Sequence, residues 1–379
     1  MEFNFKRQKF NAQVDLADSE FHASVDYSDK TPSDFLNDEM SNLYSVQKNG
    51  KSLNLNVGDI KSFFAIEILM GIVNMPAYTD YWAQASQEGS HSIDEMMVPY
   101  KGKKAGARRQ YMPKKPSKWG NKFFVRAGNS GIVYDFFAYD GGNSFEDADF
   151  SEWENSYLEI GGKTVIKLCE TIRDKHLSTV YFDNWFTSLE LIYHLRNEYG
   201  ILSLGTIRKD RLRRQPFVED KVLKKRGRGS YEMISDNKNK VSIVKWVDND
   251  CVSLASSYCG EEPVTSILRY NKILREKRPV SCPHIIKEYN KKMGGVDKAD
   301  MLIALYRISL KSKKWYMNIF CHLIDISINN AWLVYKREMQ EMGENSIPLK
   351  KIRLHIASAL MKTGQRVTID IDSQSVREL

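Results

Sequence analysis

The stretch Thr179-Val180-Tyr181-Phe182-Asp183-Asn184-Trp185-Phe186-Thr187-Ser188 decides how this chain is read. Its first four residues are β-branched or aromatic, the types that pack well on a pleated surface, and they predict a short buried strand. Asp183 follows at the strand's end, where a sheet fixes a carboxylate in space. Tyr181, Phe182, Trp185 and Phe186 surround it with rings, so an unpaired charge there is costly. A bound cation or a buried hydrogen-bond network would offset that cost.

On either side of this stretch the elements continue. Lys163 to His176 predicts an amphipathic helix, Ser188 to Glu198 a second helix, and Ile201 to Ile207 another strand. Residues 92–140 alternate in strand fashion, with Gly128-Asn129-Ser130-Gly131 as a hairpin turn between Phe123-Phe124-Val125 and Ile132-Val133-Tyr134. Asp94 lies in the first such run, SIDEMMVPYKG, and Asp297 follows Gly294-Gly295 to open a helical pattern, GGVDKADM. Asp300 falls on the same side of that helix, so two like charges there call for a counter-ion, with Lys291, Lys292 and Lys298 nearby in sequence. Taken singly, each aspartate reads as a cap or a solvated charge. Taken together, carboxylates at strand ends and a helix start can hold two divalent ions roughly 3.5–4 Å apart, the geometry for in-line displacement at phosphorus.

The wording of these segments resembles the piggyBac family of DDE/DDD transposases and the transposon-derived proteins related to them. The resemblance is carried by Ile93 to Gly102, by Gln110-Tyr111-Met112-Pro113-Lys114-Lys115-Pro116-Ser117-Lys118-Trp119-Gly120, by Tyr181 to Ser188 and by Gly205-Thr206-Ile207-Arg208. Gly294 to Asp300, Lys313-Lys314-Trp315 and Asn329-Asn330-Ala331-Trp332 complete it, over residues 30–340. It implies an α/β fold with an RNase H-like catalytic core, a mixed sheet flanked by helices, with a helical N-terminal region and an insertion domain before the last catalytic helix. It also implies that Asp94, Asp183 and Asp297 are the catalytic and metal-binding triad, with Asp300 as a further acid, using Mg²⁺ or Mn²⁺, two ions, and no zinc. Double-stranded DNA is the implied partner, with a homodimer and a nuclear location.

The domain boundaries then expected are a disordered tail at 1–30, a helical region at 31–91, the first part of the core at 92–207, an insertion at 208–290, the last core helices at 291–340, and a helix near Leu349–Met361 with a polar tail at 341–379. In the helical region, Asp34 to Val46 and Asn56 to Val73 read as helices; Ser309 to Arg337 carries a third, with Trp315, Ile319, Leu323, Ile326, Asn330 and Leu333 along a packing face. Within the insertion, Val241–Val247 and Val252–Ser257 read as strands. Only ten residues join Asp80-Tyr81-Trp82 to Ile93-Asp94, shorter than the family's usual spacing, and no cysteine-rich zinc domain follows the core. Those departures favour a domesticated or degenerate transposase, or a non-catalytic DNA- or chromatin-binding protein on the same fold. An RNA-directed nuclease is a third use of such a core.

Composition agrees. A chain of 379 residues can bury a substantial core in more than one domain, and a net charge of +8 leans towards a polyanionic partner. No apolar run is long enough to span a bilayer, no secretory signal opens the chain, and five scattered cysteines form no C-x-x-C pair. Two basic clusters stand out: Lys101, Lys103, Lys104, Arg108, Arg109, Lys114, Lys115 and Lys118, with Tyr111 and Trp119 among them, and Arg208, Lys209, Arg211, Arg213 and Arg214. Both leave sheet elements next to the aspartates and are expected to flank a bound phosphate backbone. Lys224-Lys225-Arg226-Gly227-Arg228 reads as an extension of the second cluster or as a nuclear-import signal.

Overall fold

The computed structural model describes residues 88–102, 105–113, 115–212, 217–271, 275–310 and 314–360. The tail at 1–30, the two helices expected within 31–91, and Lys103, Lys104, Lys114, Arg213 and Arg214 lie outside them.

The chain divides into two units, one of them spanning Trp82–Ser346. In that unit a nine-stranded sheet runs in the order β2-β3-β1-β5-β6-β9-β8-β7, with β4 paired to β3. The strands are β1 (Ser90–Pro99), β2 (Arg109–Tyr111), β3 (Trp119–Gly128), β4 (Val133–Ala138), β5 (Thr179–Phe182), β6 (Leu202–Thr206), β7 (Tyr231–Asp236), β8 (Val241–Val247) and β9 (Cys251–Ser256). β1, β3 and β4 form an antiparallel meander, and β5 and β6 then add in parallel to β1. That mixed order is the RNase H-like core expected from the sequence. Strands β7 to β9 extend the same sheet by antiparallel pairing of β9 with β6. β10 (Thr265–Asn271) and β11 (Glu276–Cys282) form a separate hairpin, which the sequence reading missed together with β7.

The helices are α1 (Glu152–Tyr157), α2 (Ile160–Cys169), α3 (Leu189–Asn197), α4 (Asp220–Lys225), α5 (His284–Lys292), α6 (Gly295–Leu305) and α7 (Tyr316–Glu341). They cover both faces, because side chains alternate along a strand. On one face Ile93, Phe124, Val180 and Phe182 pack against Val165 and Leu168 of α2 and Leu191 and Leu195 of α3. On the other, Met96, Val98, Phe123 and Val125 meet Val296, Ala299 and Ile303 of α6 and Ile319 and Ile326 of α7, and Tyr181 and Leu204 meet Ile285 and Ile286 of α5.

Local chemistry sets the boundaries. Gly131 takes a positive φ of 97° and gives its N–H to Gly128 O at 2.9 Å, closing the expected hairpin turn. Ser188 caps α3 by accepting Leu191 N–H at 3.2 Å. Helix α2 stops at Cys169, short of the expected His176. The buried Arg126 of β3 gives Nε–H to Leu168 O at 2.8 Å and Nη2–H to Thr171 Oγ1 at 2.9 Å, claiming a carbonyl at the helix end and turning the chain there. α7 starts at Tyr316 rather than near Ser309, and its buried Ile319, Ile326 and Leu333 are the expected packing stripe. In the second unit a helix covers 349–360, opened by Lys351 N–H to Pro348 O at 2.9 Å. No helix among the described residues is long and apolar enough to cross a membrane.

Candidate active site

Asp94 stands in the middle of β1. In the parallel ladder Ile93 pairs with Phe182, so Asp94 and Asp183 are the next residues on adjacent strands, whose backbones run about 4.8 Å apart. Ile93 and Phe182 point together into the α2–α3 core, which sends Asp94 to the opposite face, the one covered by α5 and α6. Asp183 leaves the strand there. Its Oδ1 accepts Trp185 N–H at 2.8 Å, and its carbonyl accepts Thr187 Oγ1–H at 2.7 Å, so the loop after β5 is folded around it.

The third acid arrives on α6. Gly295 lies so close to β1 and β3 that a Cβ there would stand 2.3 Å from Gly128 O and 2.5 Å from Ser92 Oγ. Val296 N–H donates to Ser92 Oγ at 3.2 Å. The first turn of α6 is thereby tied to β1 two residues before Asp94, and that turn carries Asp297, with Asp300 one turn on. Asp297 is exposed and Asp300 half-buried.

One side chain reports on all three. The Tyr289 phenol on α5 is pushed up by burial, opposed by a hydrogen bond with Thr206, and then raised further by the charges of Asp183, Asp94 and Asp297. Asp94 itself is raised to about 8, first by burial and then by the charge of Glu95. Burial also raises Asp183 and Asp300. The β1–β5 register and the Ser92–Val296 bond bring Asp94, Asp183 and the first turn of α6 to neighbouring positions. As the side chains stand, no group of three or more His, Cys, Asp or Glu among the described residues is close enough to hold a metal ion.

Several neighbours were not singled out by sequence reasoning. Glu95 gives its N–H to Asp94 Oδ1 at 2.7 Å. Asp300 finds its counter-ion in Arg307, 3.3 Å away, rather than in the lysines near it in sequence; Lys298 reaches Asn129 O instead. Lys122 of β3 lies within range of Glu95, Asp183 and Asp94, and burial lowers its proton affinity against their pull.

The basic residues divide by what they touch. Lys115 donates to Glu95 O at 2.9 Å, and Arg109 lies 3.8 Å over the Trp119 ring while donating to Gly102 O at 3.0 Å. Arg211 gives N–H groups to Trp185 O at 3.0 Å and Thr187 O at 2.8 Å, and pairs with Glu159 at 2.6 Å. Lys115 and Arg211 thus brace the segments that bear Asp94 and Asp183, while Arg109 holds the turn that follows β1. Arg108 and Lys209 form exposed ion pairs with Asp140 and Asp220. Lys101, Lys118 and Arg208 are exposed, Arg208 being held by Asn184 Oδ1 at 3.1 Å. In the later run Lys224 pairs with Asp250, and Arg228 is tied to Asp248.

The sequence matches the Transposase IS4 family over residues 38–97 and 88–332. It is 29% identical to PiggyBac transposable element-derived protein 3 of Homo sapiens, over 80% of this chain and 60% of that protein. It is 28% identical to PiggyBac transposable element-derived protein 2 of the same organism, over 76% and 47%. The chain belongs to the piggyBac-like transposase family. It spans less than two thirds of either relative's length. Its fold is similar to that in a cryo-EM structure of a piggyBac transposase synaptic complex with hairpin DNA, with a TM-score of 0.59 and 23% identity over 75% of this chain and 54% of that one. The RNase H-like mixed sheet flanked by helices that the sequence led one to expect is thus the core found.

Proposed function

We propose that this protein binds double-stranded DNA and carries a metal-dependent phosphoryl-transfer site on Asp94, Asp183 and Asp297, with Asp300 as an accessory acid. The observation that carries the reading is the placement of the acids: Asp94 and Asp183 follow the paired Ile93 and Phe182 on adjacent strands, and the helix turn that bears Asp297 is tied to the same strand by Val296 N–H to Ser92 Oγ. The donor set fits a hard divalent cation in kind: it is all carboxylate oxygen, and it lacks the imidazole and thiolate that would favour zinc. Asp94 is raised first by burial and then by the charge of Glu95, and a bound cation would offset both. Asp94, Asp183 and Asp297 would hold Mg²⁺ or Mn²⁺, and such ions when bound activate the attacking oxygen and stabilise the leaving one.

The chain's own part is positioning. Glu95 N–H holds one oxygen of Asp94, Trp185 N–H one oxygen of Asp183, and Ser92 holds the start of the helix that bears Asp297. Lys101, Lys118 and Arg208 are the exposed charges available to a phosphate backbone. The solved piggyBac transposase is a complex with hairpin DNA, which supports DNA as the ligand here. A nuclear location and a homodimer that holds two DNA ends follow from the same reading.

The test incubates the full chain with a labelled duplex and Mn²⁺ or Mg²⁺, beside an Asp183→Asn control. Metal-dependent nicking that the control loses is the expected result. Binding without nicking would support the second reading, a DNA-binding protein that keeps the fold without the chemistry. That reading is favoured by the absence, among the described residues, of three carboxylates already close enough to grip an ion.

A further inference from the structure

The Lys122 ammonium has three N–H donors, and its Nζ makes no hydrogen bond and no ion pair with any described residue. The register partner of Lys122 is Met97 of β1, and in the same ladder Glu95 pairs with Phe124, so Lys122 and Glu95 leave the sheet on the α2–α3 side, opposite to Asp94; Met97 lies four residues beyond Ile93, the last β1 residue paired with β5, so Lys122 stands level with the loop that follows β5 and carries Asp183. Its Nζ rests on aromatic faces, 4.4 Å from the Phe124 ring centre, 4.6 Å from Trp185 and 5.6 Å from Tyr139. Trp185 belongs to the loop that folds around Asp183, so the cage and the acid are built together. The charges of Glu95, Asp183 and Asp94 all act on this ammonium, yet Glu95's near cation is Lys115, at 4.0 Å.

A bland account has the lysine stem covering the rings while its head takes water. Three features go beyond it. The rings fix the ammonium without occupying its donors, because a cation on a π-face still presents its N–H groups outward. The position is half-buried, where an unmet charge is strengthened rather than screened. And the one anion an acid-lined phosphoryl-transfer site must admit is a phosphodiester, whose non-bridging oxygens need cationic donors the carboxylates cannot supply.

We propose that Lys122 is a phosphate-contacting residue of this site, donating an N–H to a non-bridging oxygen of the reacting phosphodiester. The proposal rests on the DNA-cleaving reading above. The ring cage sets where that oxygen lies relative to Asp183.

The experiment uses the full chain, wild type, Lys122→Met and Lys122→Arg, with thermal unfolding to confirm that each is folded; Met keeps an apolar stem among the rings and Arg keeps the charge. One arm measures binding to a 40-bp duplex in Ca²⁺ as a function of salt. Removing one cation from a phosphate should lower the slope of log Kd against log salt by about 0.9 in K122M and leave it in K122R. The other arm maps the nick in Mn²⁺ and places a methylphosphonate at that linkage. K122M should slow nicking of the natural linkage by roughly 10²-fold, as removal of one oriented donor does, with little further loss on the diastereomer lacking the contacted oxygen. An unchanged slope together with equal losses on both linkages would make Lys122 a filler of its cage and overturn the proposal, as would K122M nicking at the wild-type rate. If wild type binds but does not nick, the catalytic reading falls by itself and the salt slope still decides Lys122.

Discussion

Ser92 Oγ accepts the backbone N–H of Val296 at 3.2 Å, and this bond sets where α6 meets the strand that carries Asp94. The two residues lie far apart in sequence and both are buried, so neither partner can turn to water instead. Gly295 permits the approach. Gly295→Ala should push α6 off the Gly128 carbonyl and the Ser92 hydroxyl, which a Cβ would meet at 2.3 and 2.5 Å. The expected cost is about 1–3 kcal/mol of stability, with metal-dependent nicking lost beyond what unfolding explains. Ser92→Ala should cost about 1–3 kcal/mol by leaving the N–H unmet. Chemical denaturation and nicking assays on both variants check this, and a Gly295→Ala protein as stable and active as wild type would refute the docking role.

Asp183 has a structural duty as well as a proposed chemical one, and one substitution separates them. Its Oδ1 takes Trp185 N–H at 2.8 Å, a bond the carbonyl oxygen of Asn can keep. Asp183→Asn should therefore unfold within about 1 kcal/mol of wild type, whereas Asp183→Ala should lose about 1–2 kcal/mol with the bond to Trp185 N–H. Both should lack nicking. Equal stability of the two variants would show that the loop does not depend on the carboxyl.

How much could be read from sequence follows from what each residue depends on. The strand before Asp183 and the Gly128–Gly131 turn were legible because local chemistry alone specifies them. Strand β11, Glu276-Lys277-Arg278-Pro279-Val280-Ser281-Cys282, was not, since it is mostly exposed, holds a proline and pairs only with β10. The acids were legible as motifs. Their supporting neighbours were not: Lys122, Tyr289 and Arg307 reach the site from a neighbouring strand, a helix and a loop, so nothing in their own sequence surroundings marks them. The basic clusters looked uniform in sequence, yet Arg109, Lys115 and Arg211 are spent on rings, carbonyls and an acid of the protein itself.

That division predicts two classes of basic-residue variant. Lys101→Ala, Lys118→Ala and Arg208→Ala should each flatten the salt dependence of DNA binding, by about 0.9 in slope for each phosphate no longer neutralised, with stability unchanged. Arg211→Ala should do the reverse. It gives up its bonds to the carbonyls of Trp185 and Thr187 and its Glu159 partner, leaving carbonyls near Asp183 unmet. A loss of about 2–4 kcal/mol in denaturation is expected, with the salt slope of the folded fraction intact. A slope change in Arg211→Ala without destabilisation would return this residue to the DNA-binding surface.

The raised Asp94 gives the metal-free protein a pH dependence of definite sign. Burial and Glu95 lift its folded carboxyl to about 8, against about 3.9 for an unfolded aspartate. The folded state then holds the proton more tightly than the unfolded one, so ionisation favours unfolding. Below about pH 4 both states are protonated and the effect vanishes; between about 4 and 8 stability falls as pH rises, and above that the penalty is constant. Asp94→Asn cannot ionise and should escape this fall, so that in chelator its advantage over wild type grows from pH 5 to pH 8 by up to a few kcal/mol. Adding Mg²⁺ or Mn²⁺ at pH 8 should raise the melting temperature of wild type, because binding to the folded state offsets the repulsion, and should raise that of Asp94→Asn much less. Melting curves of the two proteins across pH, with and without the ion, decide the matter. Parallel curves would mean that Asp94 shares its charge with solvent and is not the poised ligand described here.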